Sequence, residues 1–196
     1  MHEEDPAMGL DSQIASVARG YLDDILRSLA PEEAPTPFMV SGGPHGVRHI
    51  ELHSLTDPDF AQTAKTVIPA FIILNEGVEV VLSAFITDPD ICDGKPECAL
   101  IAYWGPRARE LFAAEVTRRK GQPPVLGDWL KAPASASLGP IDEGVRNGLD
   151  MAYRIWNTDA DDLRERIDAI RSDGGTTDTD VIPLTVDALR ECGWLD

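Results

Sequence analysis

The residues with the most suggestive chemistry are His49, Glu51 and His53, which recur at every second position. On a strand such residues share a face, while Ile50 and Leu52 point the opposite way. Imidazole and carboxylate are ligands for zinc and iron, so the pattern suggests a metal-dependent or hydrolase-like site. Distance restricts that reading. At about 3.3 Å per residue, positions 49 and 53 stand roughly 13 Å apart, whereas ligand atoms lie about 2 Å from one metal. All three do not reach the same ion. A neighbouring pair needs further ligands, and the other histidines are His2 and His45. A solvated polar strand face is the simpler expectation.

Other constellations fail on spacing. His49-Ile50-Glu51 followed by cysteines does not fit the zinc deaminase signature, because Cys92 and Cys98 are too far apart and Ile91 stands where proline is required. Asp88-Pro89-Asp90-Ile91-Cys92-Asp93-Gly94 imitates a calcium loop. Counted from Asp88, however, Cys92, Asp93 and Ala99 fall where oxygen, glycine and glutamate ligand positions belong. Gly42-Gly43-Pro44-His45-Gly46 lacks the Gly-Lys-Ser/Thr ending of a phosphate loop, and neither a nucleophile elbow nor a dinucleotide fingerprint occurs. Cys92, Cys98 and Cys192 are too few for a disulfide framework and are expected as reduced thiols. Arg107, Arg109, Arg118, Arg119 and Lys120 read as surface charges paired with acids, and Trp104, Trp129, Trp156 and Trp194 as core anchors. No cofactor is implied.

The elements that must position these groups are legible in the apolar spacing. From Asp11 to Leu29, Ile14, Val17, Ala18, Tyr21, Leu22, Ile25, Leu26 and Leu29 recur at steps of three and four, predicting one helix with a stripe that must dock. Pro31 to Pro35 ends it. Two strands follow, 37–41 and 47–54, joined by the glycine-rich loop. Asp57-Pro58 is a helix start, and the stretch from Phe60 to Leu74 is read as a helix despite Pro69, with Gly77 as its stop. A short helix followed by a hairpin at 75–77 is the competing reading. Strands are expected at 78–87 and 99–104. A third, at 111–119, has Phe112, Ala114 and Val116 on a buried face and Glu115, Thr117 and Arg119 on a wet one. Three helical patterns lie beyond residue 140, and Cys192-Gly193-Trp194 has the form of a glycine cap with its hydrophobic contact.

This order predicts an α+β fold: a mostly antiparallel sheet of about five strands, helices mainly on one face, and a helical C-terminal segment. The expected division is an N-terminal amphipathic helix and linker at 1–35, an α+β core at 36–130, a linker at 131–140 and acidic C-terminal helices at 141–196. The other sheet face is an expected partner surface.

Charge then restricts the functions. The 196 residues carry 34 acids against 17 bases, a formal net charge of -17, which opposes binding to phosphate backbones and anionic membranes. The excess is concentrated at the ends: eight acids and two bases in 1–35, fourteen and six in 141–196. No apolar run reaches the roughly 20 residues a spanning helix needs. The acidic start differs from a basic leader, so a cytoplasmic location is expected. The sequence therefore favours a non-catalytic acidic binding or regulatory module that contacts another macromolecule, with a basic protein as partner and Asp159, Asp161, Asp162 and Glu165 as the contact. The alternative is a metal-dependent or hydrolase-like enzyme using the His49, Glu51 and His53 face. Self-association through the helix at 11–29 is a further expectation.

Overall fold

The computed structural model describes residues 13–31, 33–52, 60–88, 90–106, 108–133, 135–173 and 178–196. Within them the chain runs α1 (Gln13–Ser28), β1 (Phe38–Gly43), β2 (Gly46–Glu51), α2 (Phe60–Leu74), β3 (Glu79–Ile86), β4 (Cys98–Trp104), β5 (Arg109–Thr117), β6 (Val125–Leu126), β7 (Leu130–Lys131), α3 (Pro140–Asn157), α4 (Asp161–Asp173) and α5 (Asp178–Glu191). The fold is α+β. Its sheet order is β2-β1-β3-β4-β5-β6, antiparallel at every pairing, with β7 also on β5. The five longer strands are those expected from the sequence; β6 and β7, two residues each, are too short to leave a periodic signal.

The central strands are apolar on nearly every residue because both faces of the sheet are covered. Met39, Val80, Leu82, Leu100, Ala102, Trp104, Leu111 and Ala113 face the layer that contains α2, α3, α4 and α5. Phe38, Val40, Val81, Ala99, Ile101, Phe112, Ala114 and Val116 face α1. Alternation along each strand divides the two sets. This corrects the reading of β5, whose second face was expected to be wet: Leu111 and Ala113 are buried there, and only its far end, at Glu115 and Thr117, is exposed.

The stripe of α1 docks on the second sheet face, which is therefore not an open surface. Ile14, Ala18, Leu22 and Leu26 are buried against the strands, each large side chain contributing roughly 2 kcal/mol through lost apolar exposure. These are the residues through which self-association was expected; Val17 on the same helix is exposed.

The stretch 60–74 is a helix that continues through Pro69, in agreement with the preferred reading. Nine of its residues, from Ala64 to Leu74, are buried, so packing on α3, α5 and the sheet outweighs the proline penalty of about 3 kcal/mol. Its stop differs in detail from expectation. Gly77 N–H donates to Ile72 O at 2.8 Å and Glu76 N–H to Ile73 O at 3.0 Å, but the left-handed residue is Glu76, at φ 48°, not the glycine. Gly77 is needed for space instead, since a Cβ there meets the Ser41 hydroxyl. At the other end of the chain, Gly193 at φ 72° closes α5. Trp194 N–H donates to Leu189 O at 2.8 Å, and the indole packs on the core as the sequence suggested.

Candidate functional site

His49 and Glu51 lie on β2, the edge strand, and are exposed on its α1 side. The His49 ring tilts against Tyr21 of α1, with centroids 5.3 Å apart. His53 lies outside the described residues. Among the described residues, no three His, Cys, Asp or Glu side chains are grouped so as to hold a metal ion.

Cys92 and Cys98 are brought together, but not as a reactive pair. Both are buried in the wall of a cavity of about 510 Å³ that Asp90, Lys95 and Glu115 also line. The Cys92 thiol donates to Ile86 O at 3.6 Å and the Cys98 thiol to Cys92 O at 3.9 Å. Burial pushes the Cys92 thiol up to about 12, reinforced by the adjacent Cys98 and by Asp88. At neutral pH it is a thiol, whereas the thiolate is the nucleophile. Iodoacetamide at pH 7.5 is expected to label the partly exposed Cys192 first and Cys92 only after denaturation, as peptide mass spectrometry reads directly.

Of the basic residues expected as paired surface charges, Arg109 at the β4–β5 turn and Arg118 just past the far end of β5 have deeper partners than surface solvation implies. Arg119 and Lys120 are exposed, and Arg107 lies outside the described residues. Arg109 grips Asp142 with two bonds, Nε to Oδ1 at 2.6 Å and Nη2 to Oδ2 at 2.8 Å, and donates to Ala136 O at 2.9 Å. The same carboxylate accepts from the Trp104 indole at 3.0 Å, from Leu138 N–H at 2.8 Å and from the Ser137 hydroxyl at 3.3 Å. Asp142 stands in the first turn of α3 after Pro140, so it reaches back over the preceding loop as a capping acid does. Arg118 likewise holds Glu97 at 2.7 and 3.0 Å and the carbonyls of Pro31 and Glu33. Both arrangements fasten loops to the sheet. An acid three residues into a predicted helix was the available signal for Asp142.

The acids expected as a partner contact follow one another across the α3–α4 corner. Asp159 precedes α4, and Asp161 and Asp162 occupy its first turn, where the helix dipole favours carboxylates. Asp161 pairs with Arg164, Glu191 with Arg166 at 2.5 Å, Asp168 with Arg171 at 2.8 Å and Asp187 with Arg190 at 4.0 Å. No ion pair among the described residues reaches Asp159, Asp162 or Glu165, and all three are exposed.

One concavity combines apolar walls with polar groups. A pocket of about 420 Å³ opens where three turns at the end of the sheet meet the second half of α3. Pro44 comes from the β1–β2 turn, Glu76, Gly77 and Val78 from the α2–β3 turn, and Gly105 and Pro106 from the β4–β5 turn. Leu149, Asp150, Ala152, Tyr153, Trp156 and Asn157 complete it from the helix, at spacings that place them on one side. The turns are held in register from beneath. Asn75, fully buried, donates to Ser41 O at 2.8 Å and Gly46 O at 3.2 Å, and Gly43 lies so close to the Asn75 carbonyl that no Cβ fits. Glu76 accepts from Arg171 at 3.2 Å and meets His45 Nε2 at 2.5 Å. Arg171 also donates to Leu74 O at 2.9 Å and lies 5.7 Å from the Trp156 ring centroid. The sequence marked Trp156 only as a core anchor and did not single out Tyr153. The signal was an aromatic four residues after Leu149, beside the apolar stripe.

No protein-family model matches the chain, and neither the curated proteins nor the solved structures contain a match to it.

Proposed function

We propose that the protein is a non-catalytic binding module whose acidic C-terminal helices engage a basic protein partner. The observation that carries this is how charge is distributed over those helices. Five of their six arginines are engaged by carboxylates of the same layer or its neighbours, Arg146 being the exception, while the acids Asp159, Asp162 and Glu165 stay exposed without an ion pair among the described residues. Residues 141–196 carry eight more acids than bases, so this surface presents a negative field that attracts a basic surface and repels an acidic one.

The test is a titration with a fluorescent decalysine peptide at 50 mM and 300 mM salt. Changing Asp159, Asp161 and Asp162 to Asn and Glu165 to Gln removes four exposed partners, each worth roughly 0.3 kcal/mol, so binding should weaken about tenfold at low salt. Neutralising Asp23, Asp24, Asp90 and Asp128, which are exposed elsewhere, should have a much smaller effect. Equal losses for the two sets would mean that the peptide senses only net charge, and the localised reading would fail.

A further inference from the structure

We infer that the pocket between α3 and the sheet-end turns is a binding site for a small organic cation with an apolar body, of the arylalkylamine class. The inference does not depend on the acidic helices meeting a protein. Its first support is size: about 420 Å³ lies at the lower end of small-molecule sites, roughly 300–1,000 Å³, and suits a compact ligand. The second is the wall. Val78, Leu149, Pro44 and Pro106 supply apolar surface, and Tyr153 and Trp156 supply aromatic surface of the kind that attracts cations. Tyr153 and Val78 are among the large apolar side chains left exposed, at 68% and 56%, and both border this one pocket.

The third support is the sign of its charges. The side chains charged at neutral pH that line it among the described residues are Asp150 and Glu76, and no lysine, arginine or histidine does. Glu76 is paired with Arg171 and contacts the His45 ring behind the wall. Asp150 is bound only loosely, to Arg154 at 3.9 Å, and sits one helical turn before Tyr153. A carboxylate beside an aromatic ring at the rim of an apolar pocket receives an ammonium group while the ligand's body fills the interior. An anion meets the opposite: the loosely paired Asp150 carboxylate and a chain of net charge -17. Glu76, at φ 48°, holds a backbone conformation costly for a residue with a Cβ. The turn that shapes the pocket is thus locked by the same side chain that Arg171 and His45 grip.

The experiment is a chemical-shift titration of the full chain with 2-phenylethylamine, 3-phenylpropionate and Nα-acetyl-lysine methylamide in low-salt buffer at pH 7. The amine should bind with a Kd of about 1 mM, shifting amides of Val78, Gly105 and 149–157, and the acid at least about tenfold more weakly. Tyr153→Ala should weaken the amine about fivefold. Asp150→Asn should cost up to about fivefold as well. Both residues are exposed, and unchanged melting temperatures would show that the variants are folded. Four results overturn the proposal: no shifts at 20 mM amine, the acid binding as well as the amine, both variants behaving as the parent, or the blocked lysine binding at least as tightly as the aryl amine. The last would assign the pocket to a partner's side chain.

Discussion

Replacing Asp142 by alanine is expected to destabilise the protein by about 3 kcal/mol, the low end for breaking a buried ion pair. The low end applies because Arg109 keeps about a quarter of its side chain in solvent and recovers part of its hydration. What remains is the loss of the acceptor for Arg109, for the Trp104 indole, for Leu138 N–H and for the Ser137 hydroxyl, in a site where Trp104 is only 5% exposed. For a chain of this length the midpoint of thermal unfolding should fall by roughly 6–12 °C. The double variant Arg109→Met with Asp142→Leu should recover part of the loss, since removing both charges avoids leaving one buried alone.

The same residue fixes a pH dependence. Burial pushes the Asp142 carboxyl up, but the Arg109 hydrogen bond, Leu138 N–H, the Arg109 charge and the Trp104 indole pull it further down, so it ionises below the usual aspartate range. A group whose pKa is lower in the folded state holds more protons in the unfolded chain, so it stabilises the fold above the unfolded value, about 3.9, and loses that contribution as pH falls through the lowered native value. The stability gap between the parent and Asp142→Asn should therefore be flat above about pH 5 and shrink below about pH 4. Urea midpoints across pH 2.5–7 measure it, and a gap that widens toward acid would refute the assignment.

The second large effect is a reversal of sign. Glycine to alanine in an exposed helix interior stabilises by roughly 1 kcal/mol, and Gly20→Ala on α1, with open space around the new methyl group, should follow that rule. Gly144→Ala on α3 should instead destabilise by about 2–3 kcal/mol, because its Cβ is driven onto the Ala64 carbonyl oxygen of α2, and backbone does not yield as a side-chain tip does. One turn later a Cβ added at Gly148 would stand 2.8 Å from Ile72 Cδ1 and 2.9 Å from Pro69 Cα, so its alanine variant should destabilise in the same direction. The contact sets the depth at which α3 lies on α2 and, through α3, where Leu149, Tyr153 and Trp156 stand. Three single variants and one denaturant series suffice. Equal signs for Gly20 and Gly144 would show that the helices do not pack so closely.

Much of the fold was legible because burial writes a period into the chain. The steps of three and four in α1 gave a helix within two residues of its observed ends, and the apolar runs of β3 and β4 gave strands nearly to the residue. The helical choice for 60–74 was preferred in spite of Pro69 because the apolar face ran on to Gly77 as a natural stop, although a hairpin at 75–77 also accounted for the turn. The reading of β5 failed at Leu111 and Ala113 because alternation reports one covered face only when the other is wet, and the layer of α2 to α5 had not yet been placed over that side.

The site divides similarly. Types and spacing were enough to exclude a phosphate loop, an EF-hand and a dinucleotide motif, and to place excess carboxylate in the last third of the chain. They also revealed which residues alternate or recur on one element, because that follows from backbone period alone. The pocket was out of reach: Pro44, Val78, Pro106 and Tyr153 belong to four separate segments that meet only when the strands pair and α3 settles on α2. The Arg109–Asp142 bond crosses a separation of 33 residues, and nothing in either local sequence names the other partner. Local composition determined what each segment prefers to be. Which segments stand face to face was decided by tertiary packing, where a contact's energy depends on both surfaces at once.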